Sequence, residues 1–409
     1  MSSSPASNRY DDLSLVGLRA RTSAKWRHYP PDVLPMWVAE TDFPLAEPIA
    51  RALRELVDRG DCGYAVGEPL VAAFAGFAAR RYGWAVDPAL TRACPDVMSG
   101  VAYALRALTA PGDAVAFFTP SYPPFFTTVG WIGRRVVELP LAAGNVPDLD
   151  ALASALRAGL GAILLCNPHN PTGRRFTAAE LAGIAELADR HGVPVVSDEI
   201  HAPLVLDPAA GPHLPFGALD AECARRGVTL HAASKGWNVP GLKAAVLVAG
   251  SAEALHALSS PEFDHLAESA GIAGVAAGVA AFTDCDAWLD DTVAYIAGNH
   301  RLVQQELPRV LPGARVATAE ATYLAWLDLR EVAALRGSAA PADAPRVSEG
   351  SDALVESAAP ADVVLDKARV ALSPGANFGA RYRGFARLNL GTSRPVLREA
   401  LERLAALTR

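Results

Sequence analysis

The sequence is short of positive charge: its 37 Lys and Arg are outnumbered by 44 Asp and Glu, for a formal net charge of −7. That balance argues against an electrostatic nucleic-acid surface, which needs a basic patch. No apolar run reaches membrane-spanning length, and the N-terminal MSSSPASNRYDDLS lacks the charged-then-apolar order of a signal peptide. There is no internal repeat. The five cysteines (Cys62, Cys94, Cys166, Cys223 and Cys285) are scattered, odd in number and without CxxC spacing. Reduced thiols in a cytoplasmic protein are the simplest account, and no metal centre is expected.

Hydrophobic residues make up 51% of the chain and charged residues 20%, a globular composition. A length of 409 residues exceeds one ordinary core, so two domains are expected. The middle of the chain alternates brief apolar runs with helical patterns: AVAFFT (114–119), AILLC (162–166), PVVSD (194–198), VTLHA (228–232) and AAVLVA (244–249). Such runs are strands buried on both faces, so the fold class is α/β with a mostly parallel sheet between helices. Thr177 and Glu180 form a capping box for a helix closed by Gly192 ahead of Pro194. The small residues of GIAGVAAGVAA (271–281) suit close helix packing. Residues 46–289 are expected to form the large domain, with 1–45 and 290–409 building a smaller α+β domain. The Ala-, Pro- and Ser-rich stretch 335–362 is expected to be an inserted surface loop.

Three segments at strand ends carry chemistry. Ser234-Lys235-Gly236-Trp237-Asn238 follows VTLHA, at the sheet edge where α/β folds bind ligands. Lys235 is either a solvated end residue or an imine-forming nucleophile, its proton affinity lowered by burial or nearby cations. Ser197-Asp198-Glu199-Ile200-His201 ends PVVSD. There Asp198 is an N-cap, a metal ligand with Glu199 and His201, or the partner of a cationic ring nitrogen. The metal set is disfavoured, since neighbouring strand residues point to opposite faces. Cys166 through Gly173 is a rigid turn after AILLC, in which Asn170 is placed to donate to a phenolic oxygen.

In that order, H-N-P-T-G, D-E-I-H and S-K-x-x-N resemble the fold-type I pyridoxal-phosphate (PLP) enzymes of the aminotransferase class I/II superfamily. Lys25-Trp26, Leu34 through Ala39, Thr119 through Phe125 and Ser-Lys-x-Trp-Asn-x-Pro-Gly-Leu-Lys narrow the resemblance to the MalY/PatB-type cystathionine β-lyase branch of C–S lyases. His201 stands where aminotransferases usually have tyrosine.

The resemblance implies a fold-type I PLP-dependent transferase fold and roles position by position. Lys235 is the Schiff-base lysine and the base for the α-proton, and Ser234 belongs to the same cofactor loop. Asp198 pairs with the pyridinium nitrogen, Asn170 meets the ring's phenolic oxygen with His201 close by, and Tyr122 stacks on the ring. The phosphate rests on amides of Ser99-Gly100-Val101-Ala102, read as the opening of a helix, with Lys243 adding charge. Tyr64 reaches the phosphate across a subunit boundary, which implies a homodimer. Arg387 grips the substrate α-carboxylate as a bidentate fork.

The sequence also departs from the family pattern. Ala232 replaces a phosphate-binding Ser or Thr, and Glu40-Thr41-Asp42 replaces Asp-Met-Asp, so that Thr41 marks an altered substrate pocket. The expected reaction is β-elimination from cystathionine or another cysteine S-conjugate, giving a thiol, pyruvate and ammonia, with Tyr122 or Lys235 protonating the thiolate. An aminotransferase with the same residues, another PLP reaction in specialised metabolism and a regulatory PLP-fold binding protein remain alternatives.

Overall fold

The computed structural model describes residues 9–335 and 359–408. Seven strands form the large sheet: β1 (Thr91–Cys94), β2 (Ala114–Thr119), β3 (Arg135–Pro140), β4 (Ala162–Cys166), β5 (Val195–Asp198), β6 (Val228–His231) and β7 (Ala245–Ala249). Their spatial order is β1-β7-β6-β5-β4-β2-β3, and β7 runs antiparallel to both its neighbours while the other pairings are parallel. All residues of β2, β4, β5, β6 and β7 are buried. Helices cover both faces, so these strands carry no polar alternation. Val115 and Phe117 pack into the core on one face, Ala116 and Phe118 into the core on the other.

Helix α1 (Val97–Leu108) follows β1, and helix α2 (Ala178–His191) lies between β4 and β5. Helix α2 has the full Thr177–Glu180 capping box and ends on Gly192 at φ 65°. Helix α3 (Ile272–Asp284) is the small-residue segment. A Cβ on Gly274 would lie 2.4 Å from the Leu242 carbonyl oxygen, and one on Gly278 2.5 Å from Leu70 Cδ1. Gly274 therefore packs directly on backbone, whereas Gly278 packs on the end of one side chain.

A second sheet contains β8 (Arg315–Val316), β9 (Leu324–Asp328), β10 (Ser373–Pro374) and β11 (Phe385–Asn389), antiparallel throughout in the order β10-β11-β9-β8. Leu34–Pro35 pairs in parallel with Val370–Ala371, which stitches the N-terminal segment to this half. Helix α4 (Asp286–Val310) joins the halves. Its Leu289, Val293 and Ile296 enter the core beside α3, and its Val303 and Leu307 enter the core of the second sheet. The boundary drawn at 289/290 thus falls inside a continuous helix.

Most of the loop expected at 335–362 lies outside the described residues. Its last three residues are helical, opening the helix Pro360–Ala368. Proline suits the first helical turn, where its missing N–H has no intrahelical acceptor.

Candidate active site

The chain leaves β4, β5 and β6 at one sheet edge, where their loops meet around a cavity of about 230 Å³. Tyr122, Asn170, Asp198, His201, Ser234, Lys235 and Lys243 all line it. Lys235 sits in the short turn Ala233–Gly236 and donates from Nζ to the Ala39 carbonyl at 2.8 Å. Desolvation, and secondly the Arg387 guanidinium, lower the lysine to about 8.

Asp198 ends β5, 3% exposed, and accepts at Oδ1 from the Ile200 N–H at 3.1 Å. Burial raises it to about 7, with Lys235 pulling the other way. Glu199 turns to the opposite side. It accepts there from Ser197 Oγ at 2.9 Å and the Phe216 N–H at 2.7 Å, with His213 Nε2 2.7 Å away. Asp198, Glu199 and His201 therefore do not converge on one point, as strand alternation requires. His201 is buried, and desolvation followed by the charges of Lys235 and Arg387 pushes it well below the ordinary imidazole range. It is a neutral ring, with Nδ1 buried and without a partner.

Arg387 comes from β11 in the other sheet. Its Nη1 donates to Asn170 Oδ1 at 3.0 Å, and Nη2 donates to the Trp37 carbonyl at 3.0 Å and to Ser373 Oγ at 3.2 Å. The guanidinium lies over the Phe378 ring, 5.0 Å from its centroid. Burial lowers it to about 10, and Nε is buried without an acceptor. Tyr122 caps the helix Pro123–Trp131, and burial raises its phenol.

Several expectations need correction. Helix α1 opens at Val97, two residues before Ser99, with Asp96 as its N-cap: Asp96 Oδ1 accepts from the Ser99 N–H at 2.8 Å. Gly100 already donates to the Asp96 carbonyl, and its α-carbon faces Leu230. Pro95, Asp96, Val97 and Met98 line the cavity, whereas Gly100, Val101 and Ala102 do not. Lys243 Nζ pairs with Asp96 Oδ2 at 3.0 Å. Burial works to raise Asp96, but the Ser99 amide and Lys243 outweigh it and hold the carboxyl below its usual range. Thr41 does not line the cavity; Ala39 does. Thr41 is clamped instead by Asn238, with 2.8 Å hydrogen bonds in both directions. Tyr64, expected to reach a partner subunit's phosphate, needs no such correction: it is 98% exposed and does not line its own chain's cavity.

Two contributors were missed. Ala39 acts through its carbonyl, which no side-chain motif reports. Tyr323, fully buried, donates to that same carbonyl at 3.0 Å.

The family model for aminotransferase class I and II matches residues 63–404. The chain belongs to this family. Cystathionine beta-lyase from Corynebacterium glutamicum is 31% identical to this class I/II member over 96% of this chain and 98% of its own. Cystathionine beta-lyase PatB from Bacillus subtilis is 34% identical over 92% of each chain. Cystalysin from Treponema denticola, whose crystal structure contains a pyridoxal 5'-phosphate cofactor, aligns with a TM-score of 0.86 at 25% identity over 98% of both chains. The class I/II motifs, the α/β fold class and the C–S lyase branch inferred from the sequence agree with these similarities.

Proposed function

We propose that this class I/II family member is a PLP-dependent carbon–sulfur lyase. It would act on cystathionine or another cysteine S-conjugate, releasing a thiol, pyruvate and ammonia. The observation that carries the reading is one cavity served by an amine, a carboxyl and a guanidinium, in a chain similar to cystathionine β-lyases. Lys235 and Asp198 line the cavity, and Arg387, its Nε unfilled, adjoins it by donating to the lining residue Asn170 at 3.0 Å.

The donor set fits the cofactor. Asp198 would pair with the ring nitrogen, Asn170 and His201 would serve the phenolic oxygen, and Tyr122 and Ser234 would wall the ring. Lys243 and the Val97 and Met98 amides, in a helical turn that has no acceptors of its own, would take the phosphate. Bound PLP supplies an electron sink for negative charge developing at the substrate α-carbon.

The chain's own residues do the rest. Lys235, lowered to about 8, is a base suited to take the α-proton near neutral pH. Arg387 orients the α-carboxylate through its free Nε edge. Burial keeps the Tyr122 phenol protonated, so that it can give a proton to the departing sulfur.

Tyr64, Val57 and Val66 are exposed on one stretch of chain, which supports a homodimer with Tyr64 reaching the partner's phosphate site. The large body would comprise 46–289 and the smaller one 1–45 with 290–409, with α4 running unbroken across that boundary. Five free cysteines fit a reducing, cytoplasmic location. Among the described residues no single helix is long and apolar enough to cross a membrane.

The test supplies purified protein with cystathionine and a panel of cysteine S-conjugates. Thiol, pyruvate and amino transfer to a 2-oxo acid are measured together. Equal thiol and pyruvate is the expected result; amino transfer without thiol would make the chain an aminotransferase.

A further inference from the structure

The Ala39 carbonyl accepts two hydrogen bonds, from Lys235 Nζ at 2.8 Å and from Tyr323 Oη at 3.0 Å. The donors come from distant parts of the chain, one after β6 and the other just before β9. The carbonyl between them is held firmly. Asn389 Nδ2 donates to both Val38 O and Glu40 O at 2.6 Å, and Asn238 clamps Thr41.

Tyr323 is set by an unusual neighbour. Thr322 has φ 71°, in the left-handed region that a β-branched residue seldom adopts. Three contacts fix it there. Its N–H donates to Leu204 O at 2.9 Å, its carbonyl lies 3.0 Å from His300 Nε2, and its Oγ1 accepts from the Leu324 N–H at 3.1 Å. Strain of this kind persists where the surroundings over-determine it, and it concentrates at functional sites.

We propose that Tyr323 is a positioning residue for Lys235, its hydroxyl sharing the Ala39 carbonyl so that the lysine nitrogen rests at a divided acceptor and leaves it readily. The proposal rests on the reading above, in which Lys235 is the reacting amine. A carbonyl serving one donor binds an ammonium more strongly than a carbonyl serving two. Removing the phenol therefore favours the charged lysine. The other groups facing Lys235 would be unchanged. Asp198 and Glu40 favour its charge, Arg387 and Lys243 oppose it, and His201 and Tyr122 are neutral.

The experiment uses the full-length cofactor-free protein. Lys235 acylation by an amine-selective reagent is followed by peptide mass mapping between pH 6 and 10. Tyr323→Phe should raise the midpoint of Lys235 reactivity by roughly half a pH unit or more. An unchanged or lowered midpoint overturns the proposal. Leu397→Ala, remote in the second core, should lower stability without moving the midpoint, which separates positioning from loss of structure. Should Tyr323→Phe not fold, Tyr323→Met removes the same hydroxyl with a more adaptable side chain. Borohydride trapping of PLP on a peptide other than that of Lys235 would defeat the functional reading, independently of the midpoint shift.

Discussion

Lys25 Nζ lies 2.7 Å from Asp42 Oδ2, and both side chains are 1% exposed. Trp26 Nε1 donates to the other carboxylate oxygen at 2.8 Å, and Lys25 also donates to Glu40 O at 3.1 Å. This sealed pair anchors the segment whose Ala39 carbonyl receives Lys235.

Breaking the pair leaves the buried Asp42 carboxylate with only Trp26 and the partly exposed Arg21, whose Nη1 is 4.0 Å from Oδ1. Lys25→Met is expected to cost about 3–5 kcal/mol of stability, read as a lower urea midpoint. The double change Lys25→Met with Asp42→Leu should recover much of that loss, because no lone charge remains. A single variant as stable as wild type would mean that Arg21 or water compensates Asp42.

Asp198 gives a pH prediction with a definite sign. Its folded-state value, about 7, lies above the ordinary 3.8. The cofactor-free protein therefore binds the extra proton when folded, and stability is lost as pH rises from about 4 through 7. The full effect is of order 4 kcal/mol. Asp198→Asn removes the titration, so at pH 8 the cofactor-free variant should be more stable than wild type while losing lyase activity. Urea titrations at pH 5 and pH 8 check this; parallel pH curves for both proteins would refute it.

The strands that bear the site were legible in the sequence because burial on both faces leaves an uninterrupted apolar run. The edge strand β3, RVVELP, has mixed exposure and offers no such run. Helix α2 declared itself by local capping chemistry. Helix α1 did not, since Asp96 caps it without a Glu or Gln three residues on, and it opens two residues before the Ser99 pattern suggests. Asn170, Asp198 and Lys235 stand in motifs at strand ends. The bond from Arg387 to Asn170 spans 217 residues, and Tyr323 depends on a left-handed threonine. Neither is a local property, so no sequence window contains it.

Arg387 holds its partners through a planar fork, which lysine cannot reproduce. Arg387→Lys keeps the charge but loses the bonds to Asn170, Trp37 and Ser373 together with the free Nε. Loss of one or two charge-assisted bonds, roughly 1.5–3 kcal/mol each, predicts a fall in kcat/KM of at least about tenfold. Steady-state kinetics should show most of it in KM, since the carboxylate is gripped before the chemistry begins. An unchanged KM would place the carboxylate elsewhere.

Gly274 and Gly278 in α3 allow a contrast within one helix. A Cβ at Gly274 would meet the Leu242 carbonyl at 2.4 Å and Ala244 Cβ at 2.9 Å, and both are fixed parts of the segment that carries Lys243. A Cβ at Gly278 would meet only the end of the Leu70 side chain, at 2.5 Å, and that methyl can rotate away. Gly274→Ala should therefore cost about 1–3 kcal/mol, and Gly278→Ala less. Because relief at Gly274 must push residues 242–244 outward, Lys243 should also part from Asp96 and the cavity. Weaker retention of PLP on dialysis is then expected for Gly274→Ala alone, at a temperature where both variants are folded. Equal retention by the two variants would show that the helix moves instead of the Lys243 segment.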